Sequence, residues 1–156
     1  MQKTLAILKP DCVARRLVGR VIQRFEEKGL QIVGMKLTTV SRALARTMYA
    51  EHKGKAFYRP LVRFITAGPV VVMCVKGKDA VGVVRAMLGP TFGPDAPPGT
   101  VRGDFGMSKR YNLVHGSDSP KTARREIALF FQPGEFVTAA PPDLDRIYDM
   151  TGPDLV

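Results

Sequence analysis

Val70-Val71-Val72-Met73-Cys74-Val75-Lys76 is the stretch whose reading decides the fold. It is β-branched and almost wholly apolar, which fits a strand buried on both faces at the centre of a sheet. Just upstream, Gly68-Pro69 closes a segment from Tyr58 to Ala67 in which Leu61, Phe64 and Ile65 share one side at helical spacing. Just downstream, Asp79 is placed to cap a helix whose stripe is Ala80, Val83, Val84, Met87 and Leu88. Farther out, Lys3 to Lys9 reads as a short buried strand broken by Pro10 and Asp11. Leu17, Val18, Val21, Ile22 and Phe25 then recur as a helix that Gly29 stops. Leu30 to Val40 alternates as a second strand, and Ser41 caps a helix reaching about His52. Asn112 to His115 reads as a short edge or terminal strand. Ser119-Pro120 opens a last helix with Ala123, Ile127 and Phe130 on its apolar side.

Strands interleaved with helices in this order predict an α+β sandwich, one sheet with helices on one face. The chain of 156 residues suits a single domain, 1–156, with a Pro-rich tail, 133–156, acidic at its end and placed to wrap over a neighbour. Gly89 to Gly106 holds Pro90, Pro94, Pro97 and Pro98 among several glycines and reads as a long loop with little regular structure. Loops of that length inside a compact domain usually carry function.

Lys and Arg exceed Asp and Glu by 24 to 14, a balance of +10 that favours anionic partners such as nucleotides, nucleic acids or acidic surfaces. Cys12 and Cys74 form neither a disulfide framework nor, with His52 and His115, a zinc pattern. Cys74 reads as a buried small hydrophobe and Cys12 as a passive loop residue. The run Thr4 to Leu8 is too short for a signal-peptide core, and no stretch approaches the roughly 20 apolar residues of a membrane span. The expected setting is the cytoplasm, with no membrane partner.

The chemistry concentrates in Asn112-Leu113-Val114-His115-Gly116-Ser117-Asp118-Ser119. A histidine at a strand end precedes a glycine, which leaves the imidazole uncrowded, and small polar residues able to hold the ring. Glu126 lies beside the Ala123–Ile127–Phe130 stripe, so its carboxylate is expected to point inward at that turn and to fix the ring's tautomer. An unperturbed imidazole titrates near about 6.5, so it is largely neutral and nucleophilic near neutrality, and nearby arginines would hold it so. Thr91 and Arg102 stand in the Gly/Pro loop, able to close over an anion. Arg85 falls opposite the apolar stripe of its helix, and Lys9 directly follows a buried strand.

Asn112 to Ser119 resembles the signature of the nucleoside diphosphate kinases. The likeness extends over nearly all of residues 3 to 131. It includes Thr4 to Asp11, Gly68-Pro69-Val70-Val71, Arg85 to Thr91 and Pro98 to Phe105, in the family's order and spacing. The resemblance implies a ferredoxin-like sandwich with a four-stranded antiparallel sheet. It implies an enzyme that moves the γ-phosphate of a nucleoside triphosphate, typically ATP, to a nucleoside diphosphate by a ping-pong route through a pros-phosphohistidine at His115. Glu126 and Ser117 would orient that ring. Lys9, Tyr49, Arg85, Thr91, Arg102 and Asn112 would surround the phosphates and sugar, and Phe57 would stack on the base. Mg²⁺ would travel with the nucleotide, with no direct protein ligand, and the chain would form a homo-oligomer, tetramer or hexamer.

The sequence departs from the family pattern after Thr91, where Phe92-Gly93-Pro94 replaces the usual Asn-Pro, and at Lys55, where many members carry arginine. Two other readings compete. In one, the charge balance and Arg102-Gly103-Asp104-Phe105-Gly106 make an RNA-recognition strand, but Asp104 occupies an aromatic position and repels phosphate. No specific nucleic-acid partner is therefore expected. In the other, the chain is a silent scaffold; such a chain would be expected to lose His115 or its phosphate clamp, and both are present. No G-x-x-x-x-G-K-[ST] loop occurs.

Overall fold

The computed structural model describes residues 1–137, so the part of the tail from 138 to 156, and with it the expected wrapping over a neighbour, lies outside the described residues. Strand β1 (Gln2–Leu8) runs into α1 (Pro10–Ala14), with Pro10 in the first turn, where its missing N–H costs nothing. Helix α2 (Val18–Glu27) follows, and Gly29, at φ 82, turns the chain into β2 (Gln31–Thr39). Ser41 caps α3 (Arg42–Met48), its hydroxyl accepting from Leu44 N at 3.1 Å. Tyr49 then leaves the helix, and a separate 3₁₀ turn covers Ala50–His52, so the expected helix to His52 is two pieces. After α4 (Tyr58–Ile65) comes β3 (Pro69–Gly77), and then α5 (Ala80–Leu88), which Asp79 caps through Gly82 N. Helix α6 (Val101–Phe105), β4 (Val114–Gly116) and α7 (Pro120–Phe130) complete the described core.

The sheet is antiparallel throughout, in the order β2-β3-β1-β4. Val70 to Val75 therefore lies inside it, between β2 and β1. Helices cover both faces, not one. Ala6, Leu8, Val71, Met73 and Val75 pack with Cys12, Val21, Phe25, Val84 and Leu88 from α1, α2 and α5. On the other face Leu5, Ile7, Val70, Val72 and Cys74 pack with Ala45, Met48, Val62, Ile65 and Phe130 from α3, α4 and α7. The physical reason is in the strands themselves. Leu5 to Leu8 and Val70 to Val75 have no polar alternate positions, so neither side can face water.

Two further expectations are corrected, and one competing reading is removed. Cys12 sits in α1, fully buried, rather than in a loop, and burial pushes its thiol up to about 12. Cys74 is fully buried as expected. The Gly89–Gly106 segment is structured: a 3₁₀ turn at Gly93–Asp95 leads to α6, whose cap is the Thr100 hydroxyl on Gly103 N at 3.0 Å. Arg102 to Phe105 is thus helical, and Asp104 pairs with Arg24, which removes the RNA-recognition strand.

Candidate active site

His115 pairs with Ile7 across β4 and β1. Residues opposite each other in register project to the same face, so the imidazole emerges on the side covered by α7 and α3. Gly116, opposite Ala6, faces the other side of the sheet and lets α5 pack closely there: a Cβ would lie 3.0 Å from Leu88 Cδ1 and 3.3 Å from Val84 Cγ1. Glu126, from α7, meets the ring with its Oε2 at 2.8 Å from Nε2, and the Ser117 hydroxyl donates to the same oxygen at 2.7 Å. Glu126 and Ser117 are both buried. Burial alone would raise the Glu126 carboxyl. The hydrogen bond and charge of His115, the Ser117 hydroxyl and Arg125 outweigh it and hold the group below the usual carboxylate range. An ionised carboxylate only accepts, so the ring proton sits on Nε2 and the Nδ1 lone pair is left bare.

His115 opens into a cleft of about 630 Å³. Lys9, Tyr49, Phe57, Arg85, Thr91, Arg102, Asn112 and Glu126 line it with His115; Ser117 stands behind, against Glu126. The expected set is therefore brought together from every part of the chain. Lys9, at the end of β1, donates from Nζ to Asn112 Oδ1 at 2.5 Å. Burial, and then the charge of Arg102, lower its ammonium to about 8 despite Asp11 nearby. Asn112 also donates from Nδ2 to the Thr91 carbonyl at 2.9 Å, tying the loop to β4. Arg102 donates to the carbonyls of Gly89 (2.7 Å), Val114 (2.6 Å) and Asn112 (3.3 Å). It thus braces the backbone while lining the cleft, a role the sequence did not indicate. Arg85 reaches the cleft from the exposed side of α5, as its place opposite the stripe requires.

Tyr49 sets its ring edge toward His115, with centroids 6.3 Å apart and planes at 84°. Its buried hydroxyl has no hydrogen-bond partner among the described residues, and burial together with the Glu126 charge keeps it protonated. Phe57 is half exposed at the rim, edge-on to His52 at 5.3 Å.

The cleft also takes in Lys109 and Arg110 together with Glu51, His52, Asp118 and Thr122. The basic pair directly before Tyr111-Asn112 was the available signal for the first two. Asp118, inside the quoted signature, is held ionised by the Thr122 and Ser119 hydroxyls and by Arg85, with burial opposing. No group of three or more His, Cys, Asp or Glu able to hold a metal occurs among the described residues. A larger hollow of about 850 Å³ lies beside α3 and α4, furnished with cations by Arg42, Arg46, Lys53, Arg59 and Arg63, but no histidine or carboxylate among the described residues lines it. No described helix is long and apolar enough to cross a membrane.

Comparison with known proteins agrees with this geometry. The family model described as nucleoside diphosphate kinase matches residues 2–136. A nucleoside diphosphate kinase of Archaeoglobus fulgidus is 51% identical over 149 residues, 96% of this chain and 99% of that one. One from Sulfurisphaera tokodaii is 49% identical over 138 residues, 88% and 94% of the two chains. Among solved structures, a halophilic nucleoside diphosphate kinase from Halobacterium salinarum in complex with CDP superposes with a TM-score of 0.92 at 44% identity, over 94% of this chain and 98% of that one.

Proposed function

From the premise that the chain belongs to the nucleoside diphosphate kinase family, we propose that it transfers the γ-phosphate of a nucleoside triphosphate, typically ATP, to a nucleoside diphosphate through phosphorylated His115. The observation that carries this reading is the Glu126–His115 hydrogen bond at 2.8 Å, which leaves Nδ1 bare in a cation-lined cleft.

In the first half-reaction Nδ1 attacks the γ-phosphorus. The nitrogen–phosphorus bond forms as the bond to the β-γ bridging oxygen breaks, and the nucleoside diphosphate leaves with the bonding pair. The second half-reaction reverses these steps on a different diphosphate, giving ping-pong kinetics. Phosphoryl transfer asks chiefly for in-line placement and for positive charge around the equatorial oxygens. Lys9 and Arg85, with the donors that Arg102 does not use on the backbone, supply that charge; Tyr49 adds its free hydroxyl. Thr91 and Asn112 hold the loop at phosphate and sugar, and Phe57 offers a face on which any base can stack. Glu126 balances the positive charge the ring gains on phosphorylation, and Ser117 keeps Glu126 in place.

Mg²⁺ fits this site as an ion carried by the nucleotide. Of the cleft carboxylates, Glu126 is taken by His115 and Ser117, which leaves only the separate Glu51 and Asp118. When bound, the ion would neutralise phosphate charge. We place the enzyme in the cytoplasm, where nucleotides are at hand, as a homo-oligomer, tetramer or hexamer. The exposed Met35 and Leu37 on edge strand β2 support an association surface.

Incubation with γ-labelled ATP should leave an acid-labile, alkali-stable label on the protein that a second nucleoside diphosphate discharges. His115→Ala should abolish the label and cut exchange by roughly 10⁴-fold or more, the scale of nucleophile loss elsewhere. Near-normal exchange in that variant would remove the phosphohistidine.

A further inference from the structure

Leu113, two residues before the nucleophile, has φ 72, in the left-handed region that a branched side chain rarely adopts. Val114 N donates to Asn112 O at 2.8 Å, which closes a tight three-residue turn with Leu113 at its centre. The Leu113 side chain is fully buried beside Leu8 and Val114 in the core, so the turn cannot relax outward. Contacts from two sides fix its backbone. Arg102 gathers the carbonyls of Asn112 and Val114, which flank Leu113. The β1–α1 junction takes Leu113 itself: Lys9 N donates to its carbonyl at 2.8 Å, and Asp11 Oδ2 accepts its N–H at 3.1 Å. Strained backbone persists only where its surroundings over-determine it. Asp11 provides the side-chain share of that constraint on the N–H.

We propose that Asp11 is a positioning residue for phosphoryl transfer: by accepting the Leu113 N–H it locks the turn that sets Asn112 on the phosphate side and His115 Nδ1 in line. Asp11 is not among the residues that line the cleft. Its charge also reaches Lys9, but its hold on the turn is the one bond to Leu113 N, so the property that matters there is a correctly placed acceptor oxygen rather than a negative charge. The inference rests on the phosphohistidine reading above.

Crossed substitutions separate these properties. Asp11→Asn keeps an acceptor of the same shape and removes the charge. Asp11→Glu keeps the charge and moves the acceptor by one methylene. Asp11→Ala removes both. The rate of single-turnover His115 labelling from γ-labelled ATP is measured beside the Kd for a nucleoside diphosphate. Asp11→Asn should label within about threefold of the wild-type rate. Asp11→Glu and Asp11→Ala should label about 10- to 100-fold more slowly, the usual effect of misplacing a reacting group by an ångström, with the diphosphate Kd within about threefold. Should Asp11→Ala fail to fold, the Asn and Glu variants carry the test alone. A fast Glu variant with a slow Asn variant would show that charge matters and overturn the proposal. So would equal loss of binding and labelling, which marks a merely structural residue, or no change in any variant. Absence of label on the wild-type protein itself would instead defeat the phosphohistidine reading, whatever Asp11 does.

Discussion

Lys9 combines burial with a weakly held proton. Its ammonium titrates at about 8 in the fold against 10.5 in an open chain. Between those values the unfolded chain binds a proton that the folded one releases, so this group's contribution to stability rises with pH across about 8 to 10.5. Phosphate binding changes the other way, because the neutral amine no longer attracts the anion. An incoming phosphate should raise the Lys9 value and draw a proton in. Calorimetric titration of a nucleoside triphosphate at pH 8.5, in two buffers of different ionisation heat, should therefore show uptake of a fraction of one proton. Lys9→Met should lose that uptake and weaken binding; an unchanged uptake would place the titrating group elsewhere. The sequence pointed to Lys9, His115 and Glu126, which the fold gathers at one cleft, because strand ends and an off-stripe carboxylate are local features. It could not disclose that Arg102 is engaged with backbone carbonyls, since those acceptors come from Gly89, Asn112 and Val114 and only the folded loop brings them into reach.

At the scale of elements, the Gly89–Gly106 segment was the least legible part of the chain. Its glycines and prolines signal irregular backbone, and they concealed α6, whose helix contains Gly103. Gly103 is there for close approach: a Cβ would lie 2.0 Å from the Pro97 carbonyl oxygen and 2.8 Å from that of Ala96. Gly103→Ala must push α6 away from the segment before it and carry Arg102 off its carbonyls. Exchange should fall about tenfold or more, and unfolding free energy by about 1–3 kcal/mol. Gly134→Ala, where a Cβ meets nothing within 4 Å, should leave both unchanged. Steady-state exchange and denaturant unfolding read the two effects. Equal behaviour of the two variants would mean the close contact is relieved without moving Arg102. The strands were far more legible than this segment, because unbroken β-branched runs such as Val70 to Val75 admit few other readings.

For the whole molecule, the strand count and single sheet followed from the sequence, while the covering of both faces did not. Sequence order reveals which helices exist but not the side to which each crosses. Subunit number is likewise a property of surfaces, and β2 offers the clearest one, with Leu37 67% exposed at the sheet edge. Leu37→Glu should shift the proposed oligomer to more slowly sedimenting, smaller forms, because a charge on an apolar edge opposes strand-to-strand contact; unaltered sedimentation would put the proposed contact on another surface. The division of the core by the sheet has one more consequence. Cys12 lies on one side and Cys74 on the other, both with thiols that burial makes poor nucleophiles, at about 12 and about 11. An alkylating reagent should find neither in the intact protein, so the order in which the two are modified under mild denaturant becomes a clock with two hands. It would time the opening of each layer separately and tell whether the sandwich parts as one unit or leaf by leaf.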